Sequence, residues 1–289
     1  MRKSERMTWI FLTPTVVLFL LLTVYPLFYA AYTSFFRVDY ILDQSTFVGI
    51  QNYQRIIRDM NFWNAVKNTL IFVVSAVLFE LVLGTAFAIF FNKEMKYRKL
   101  FRTIVLIPML LPPITVALTW KMMYAYDQGV LNYLLEVIGL GRIEWLSSTT
   151  WALTAIIITD IWQWTPFVFL MVLASLQAIP ESLYQSARVS GATSWQCFRY
   201  ITLPLLKPTL TLALLLRTID TFRVFDKMYV LTGGGPGNAT ETITFYIYRY
   251  GFRYFHTGYA AAGSIIMVIM VCGVSFLYIR RAFRTANAK

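Results

Sequence analysis

Six apolar stretches, separated by segments too polar to enter hydrocarbon, dominate the pattern of this chain. A spanning helix needs ~20 predominantly apolar residues, and the runs 8–36, 69–91, 103–126, 151–176, 205–231 and 260–279 reach that length. Pro14 lies near the start of the first run, where a missing N–H is tolerated, whereas Pro26 predicts a kink in its far half. Pro108, Pro112 and Pro113 interrupt the third run. Between the runs, 37–67 reads as a polar, aromatic-containing segment with short helices, 92–102 as a short basic turn and 127–150 as a loop. In 232–259, Gly233-Gly234-Gly235-Pro236-Gly237 reads as a tight turn closing the fifth run. The first run is too long for a signal-peptide core and lacks a small-residue cleavage site, so it reads as a retained helix. The pattern predicts an all-α polytopic membrane protein of six transmembrane helices, divided into an N-terminal helix with its following segment (1–68) and a core of five spans (69–289).

One connector, 177–207, differs from the others. Ile179-Pro180-Glu181 opens an amphipathic helix in which Leu183, Ala187 and Tyr184 share a side while Glu181, Gln185 and Arg188 lie on others. Gly191 predicts its end, because glycine enters the left-handed conformation that follows a helix. Thr193 or Ser194 predicts the N-cap of a second helix. The connector therefore reads as a helix–turn–helix lying on a membrane surface.

Composition supports the membrane assignment: 58% of the 289 residues are hydrophobic and only 14% charged, with mean hydropathy +0.59. The net charge of +12 would suit nucleic acid in a soluble chain, but in a polytopic protein Lys and Arg retained on the cytoplasmic side account for it. Fifteen Lys and Arg fall in the terminal segments, 92–102 and 177–207, against seven in the intervening connectors. That bias predicts both termini and the helix–turn–helix in the cytoplasm. Cys197 and Cys272 fit neither a disulfide framework nor a metal-ligand spacing, and His256 is the sole histidine, so no metal site is expected. The triple glycine lacks the Lys-Ser/Thr of a phosphate loop. No catalytic residues are expected, and the chain carries no internal repeat of the kind secondary carriers show.

The 177–207 connector resembles the cytoplasmic coupling loop of ABC importer permeases, through Ala187, Gly191-Ala192, Phe198, Ile201, Leu203-Pro204 and Pro208. Gln185 stands where that family usually has Glu, and Ser190 where it has Asp. Leu231-Thr232-Gly233-Gly234-Gly235-Pro236, with Phe225-Asp226 before it, resembles the carbohydrate-uptake group, as do Arg102, Pro108, Pro112, Trp120, Gly129, Asn132, Leu135 and Gly139. The resemblance implies the type I importer permease fold in a bacterial cytoplasmic (inner) membrane. It also implies a second, paralogous permease, two cytoplasmic ATPases that bind the ATP and Mg, and an extracytoplasmic binding protein that delivers a sugar or sugar-like solute. No cofactor is implied for this chain, and lipid is its surrounding solvent. On this basis the ATPase-coupling residues are Glu181, Tyr184, Gln185, Ala187, Gly191 and Ala192.

The solute path is sought among intramembrane polar residues, because charges in hydrocarbon face a bundle interior or a cavity. Glu80, Asp160, Arg217, Asp220, Arg223 and Asp226 qualify. Sugars suit aromatic rings beside amides or carboxylates, which adds Gln163, Trp164 and Phe167 around Pro166. The positions at which sugar permeases of the group contact solute correspond here to Gln163, Trp164, Phe167, Asp220, Thr221, Arg223 and Val224; with Asp160 they form the substrate-binding set. An internal Arg–Asp ladder remains the alternative for the fifth-run charges, and the tryptophans equally suit helix packing. A secondary transporter or channel acting without an ATPase, using Asp160 or Glu80 as a proton site, is the alternative function.

Overall fold

A computed structural model describes residues 3–39, 44–93 and 96–286; Arg2 and Lys289, two of the charges behind the predicted orientation, lie outside the described residues. The helices are α1 (Lys3–Phe19), α2 (Tyr25–Thr33), α3 (Gln51–Arg58), α4 (Met60–Asn92), α5 (Arg98–Leu110), α6 (Pro113–Met123), α7 (Val130–Val137), α8 (Ala152–Gln177), α9 (Glu181–Val189), α10 (Ser194–Cys197), α11 (Leu203–Phe222), α12 (Asp226–Leu231), α13 (Ile243–Tyr248) and α14 (Thr257–Ala286). A hairpin of β1 (Phe36–Asp39) and β2 (Gln44–Phe47) pairs antiparallel, Phe36 opposite Phe47. Among the described residues, five helical segments are long and apolar enough to cross a membrane, or six if the bent pair α5–α6 counts as one. The contacts group into two units, Met1–Trp63 with Tyr246–Met270, and Asn64–Phe245 with Val271–Lys289.

In the first unit a π-turn, Leu20–Val24, joins α1 to α2. Pro26 has no N–H to donate and its ring crowds the carbonyl one turn back; the widened turn before it relieves both. No residue in the sampled apolar window of Phe11–Thr33, whose mean hydropathy is 2.1, is buried within the chain. The Asn52 amide donates to the carbonyls of Ser34 and Phe36 at 2.8 and 3.0 Å, fastening α3 to the hairpin. Between α3 and α4, Asp59 Oδ2 accepts from the hydroxyls of Tyr246, Tyr259 and Tyr250 at 2.6, 3.1 and 3.3 Å. Burial pushes the Asp59 carboxyl up, but these bonds, with the Asn61 N–H on Oδ1, outweigh it and hold the group below its ordinary range.

The second unit is built on α4, α8 and α11. Gly84 lets α4 approach α8 closely: a Cβ there would stand 2.7 Å from Val168 Cβ and 2.9 Å from the Phe169 nitrogen. Around that crossing Ala88, Val168, Phe169, Val172, Leu173 and Leu206 form one apolar core, and Phe72, Val116, Ala117, Ile156, Met228 and Phe245 belong to a second. Each fully buried large side chain contributes about 1.5–3 kcal/mol against exposure to water. The Asn132 amide organises the segment read as a loop: it donates to Tyr126 O and Ile143 O and accepts from Ile143 N and Trp145 Nε1, all within 3.1 Å. The glycine run forms a tight turn as expected, with Gly233 and Gly234 at φ +60° and +85°, and Asn64 and Asn68 donate to the Asn238 carbonyl.

Two spans depart from the pattern. The third is not one helix: α5 and α6 meet at 97°. Pro112 and Pro113 remove two successive N–H donors, and Leu111, held extended before proline at ψ 139°, cannot continue α5. The fifth does not run to residue 231. Helix α11 ends at Phe222, Arg223 donates its N–H to Asp220 O at 3.0 Å, and α12 starts afresh at Asp226.

Candidate functional site

Three helices of the second unit meet at Arg217, and a fourth joins them through Asp160. From α11 the Arg217 Nε and Nη2 donate to the Glu80 carboxylate of α4 at 2.7 and 3.0 Å, a two-pronged pairing that fits the planar fork of guanidinium. Nη2 also reaches Asp160 Oδ2 of α8 at 3.1 Å, and Nη1 reaches Asp220 Oδ2 at 2.6 Å. Lys227, on α12, donates to the other oxygen of Asp160. The Trp164 ring lies beneath the guanidinium, 4.8 Å from centroid to Cζ, adding a cation–π contact. Glu80, Asp160, Arg217 and Lys227 are all buried, two acids against two bases. A neutral, fully hydrogen-bonded set is the form in which such charges persist away from water.

Asp220 stands at the edge of this set with its side chain 44% exposed, and Arg223 beyond it at 67%, the two joined by a single 3.4 Å contact. A cavity of about 270 Å³ opens there, lined by Asp160, Trp164, Arg217, Asp220, Thr221 and Arg223, with Val224, Asp226 and Lys227 completing the wall. A second of about 400 Å³ adjoins it, sharing Trp164, Asp220 and Arg223 and adding Phe167 and Leu216. Seven of the eight sequence-derived substrate residues therefore line one or both cavities. Gln163 does not. Its side chain is fully buried and donates to Leu111 O at 3.0 Å, bracing the α5–α6 break, because its position on α8 turns away from Trp164. Thr221 is buried and its hydroxyl is committed to Arg217 O at 2.6 Å. Arg217 and Asp220 pair at 2.6 Å, as an internal ladder requires, whereas Arg223 is held far more loosely.

Lys227 escaped the sequence reading although it lay inside the run 205–231. A lysine in a span that also holds Asp220 and Asp226 was the available signal. The break after Phe222 carries it: without the turn at 223–225, Lys227 would not come round to Asp160.

The 177–207 connector shows the expected helix, turn and second N-cap, but the second helix runs on through the π-turn Phe198–Thr202 into α11, so that Ser194–Phe222 forms one continuous helical span. Pro180 precedes α9, Glu181 occupies its first turn, and Gly191 follows it at φ +80°. Gly191 N donates to Arg188 O and Ala192 N to Ala187 O, both at 2.9 Å, the paired bonds of a Schellman ending. Thr193 caps α10 reciprocally with Gln196: Gln196 N donates to Thr193 Oγ1 at 3.3 Å and Thr193 N to Gln196 Oε1 at 2.7 Å. The Tyr184 and Thr202 hydroxyls bond at 2.9 Å. Gln185 and Gly191 are exposed, Ala187 and Ala192 half-buried, and Val189 and Trp195 stand 90% and 68% exposed.

A family model described as "Binding-protein-dependent transport system inner membrane component" matches residues 80–283. The trehalose/maltose transport system permease protein MalF of Thermococcus litoralis is 38% identical over 278 residues, covering 96% of this chain and 94% of that one. The sulfoquinovosyl glycerol transport system permease protein SmoG of Agrobacterium fabrum is 37% identical over 93% of this chain and 88% of its own. Among solved structures, a chain of a bacterial ABC transporter that imports the acidic polysaccharide alginate superposes with a TM-score of 0.87 at 27% identity, covering 98% of this chain and 96% of that one. A related structure holds that transporter in complex with an alginate-pentasaccharide-bound periplasmic protein, at a TM-score of 0.88 and 26% identity. A carrier or channel working alone is thereby displaced: the chain belongs to the inner-membrane permease components of binding-protein-dependent ABC transport systems.

Proposed function

We propose that this chain is one of two paralogous permeases of an ABC importer for a sugar or sugar-like solute, working with two ATPases and an extracytoplasmic binding protein. The observation that carries the solute class is the cavity around Trp164, Asp220 and Arg223, where an aromatic face adjoins hydrogen-bonding groups. Its likeness over almost its whole length to a trehalose/maltose permease agrees with that chemistry. Trp164 and Phe167 offer apolar faces, while Asp220 and Arg223 offer an acceptor and donors for hydroxyls.

In this reading both termini and the 177–207 loop are cytoplasmic. The rigid caps at Gly191 and Thr193 present α9 and α10, with Val189, Trp195 and Gln185 exposed, to an ATPase that binds ATP and Mg. Closure of the ATPases displaces the loop, and the helices it joins, α8 and α11, carry Asp160, Trp164, Arg217 and Asp220 with them. Alternating access follows when that displacement opens the cavity to one side and then the other. The test is reconstitution with the partner subunits and binding protein in vesicles, followed by uptake of trehalose, maltose, lactose and sulfoquinovosyl glycerol. ATP-dependent uptake of at least one, lost in Trp164→Ala, is expected. Uptake that proceeds without ATPases or binding protein would overturn the proposal.

A further inference from the structure

At the end of the second unit that carries the α9–α10 loop, Arg102 of α5 bridges two helix ends. Its Nη2 donates to Phe91 O at 2.9 Å, one of the last four carbonyls of α4, which have no partner within their own helix. With the Gln177 amide turned so that its oxygen faces the guanidinium, Gln177 Oε1 accepts from Arg102 Nη1 and Nη2 at 3.1 and 3.2 Å. Gln177 is the last residue of α8, and only Ala178, Ile179 and Pro180 separate it from α9. The same end of α8 is tied to α11 by Thr209 Oγ1 donating to Ser175 Oγ at 3.0 Å, and α9 is tied back through Tyr184 and Thr202. Phe91 packs against Phe101 and Phe169 at centroid distances of 6.1 and 6.0 Å, so the backbone that Arg102 grips is itself held in the core.

We infer that Arg102 is a positioning residue for energy coupling: it fastens the end of α8 to α4, so that movement of the α9–α10 loop reaches α4 instead of being absorbed in the three-residue link. The inference rests on the importer reading above. A hydrogen-bonded guanidinium is suited to this because it grips two acceptors from one rigid plane, which a lysine ammonium on a flexible stem does not. A purely structural helix cap would stabilise α4 and α8 without affecting how they move together.

Gln177 provides the mild handle. Gln177→Leu removes the α8 half of the clamp and leaves Arg102 on Phe91 O; Gln177→Glu restores it as an ion pair. Spin labels at Ser182→Cys and Asn92→Cys, with Cys197 and Cys272 replaced by Ala and Ser, report the separation of the loop from the end of α4. The full complex is measured nucleotide-free and ATP-trapped. In the parent and in Gln177→Glu the separation should hold within the ~1–2 Å of ordinary helix adjustment. In Gln177→Leu it should change by more, with ATP hydrolysis retained. Parent-like separation in both Gln177→Leu and Arg102→Ala would overturn the role of Arg102 alone. A parent complex that binds no ATPase would instead overturn the importer reading, and the inference with it.

Discussion

Removing Arg217 should do more damage than removing any other single charge of the chain. Arg217→Leu deletes four hydrogen bonds and leaves Glu80, fully buried, with no cation in reach, since Lys227 is committed to Asp160. Breaking a buried pair from one side costs about 3–5 kcal/mol, which at ~1.4 kcal/mol per factor of ten is a loss of roughly 10²–10³ or more in the folded-to-unfolded ratio. Replacing both partners, Glu80→Leu with Arg217→Leu, removes one acid and one base together and leaves the Asp160–Lys227 and Asp220–Arg223 pairs balanced. Such replacement is often neutral, so the double variant should recover most of what the single loses, an interaction term of the order of 2–3 kcal/mol. The assay is a double-mutant cycle in detergent, read as melting of the monodisperse gel-filtration peak of the purified chain and as membrane yield. A double variant as unstable as Arg217→Leu, or an Arg217→Leu chain that melts like the parent, would refute the reasoning.

Three further outcomes follow from the geometry. Nothing lies within 4 Å of a Cβ built on Gly191, so Gly191→Val should suffer only the left-handed backbone, about 1–2 kcal/mol; the complex should still assemble but its binding-protein-stimulated ATP hydrolysis should fall, while Gly191→Asn, which tolerates that conformation, should remain close to the parent. Arg223→Gln should assemble with basal hydrolysis intact but lose uptake if the guanidinium meets solute; recovery of uptake only when Asp220→Asn is added would mark the pair as structural instead. Asp59 is held below its ordinary pKa, so its stabilisation is present above about pH 4, the unfolded carboxyl value, and is lost as pH falls through the lower folded value. Asp59→Asn should therefore destabilise the chain at neutral pH by about 1 kcal/mol and flatten the acid limb of its melting-temperature profile.

What the sequence made legible was local. Gly191, Thr193 and Pro180 each dictate backbone within a turn of themselves, and α9, the Schellman ending and the reciprocal cap lie where those residues put them. Apolar length located the spans for the same reason. The break after Phe222 has no proline or glycine to announce it, and it brings Lys227 onto Asp160 of another helix, a long-range contact that no window along the chain reports. Pro112 and Pro113 did announce a break, but not its 97° angle, which depends on how α6 packs against α8 and α12. Gln163 shows the limit of carrying roles by motif: it sits one residue from Trp164, yet a helix turns ~100° per residue (3.6 to the turn), and that is enough to take it out of the cavity and onto Leu111 O.

The most direct test of the account is whether this chain couples a binding protein to ATP. With the second permease, the ATPases and the solute-loaded binding protein reconstituted in one vesicle, hydrolysis should rise on addition of the loaded binding protein, and the rise should disappear in Gly191→Val while the complex stays assembled. Equal hydrolysis with and without binding protein, or an undiminished rise in Gly191→Val, would contradict it.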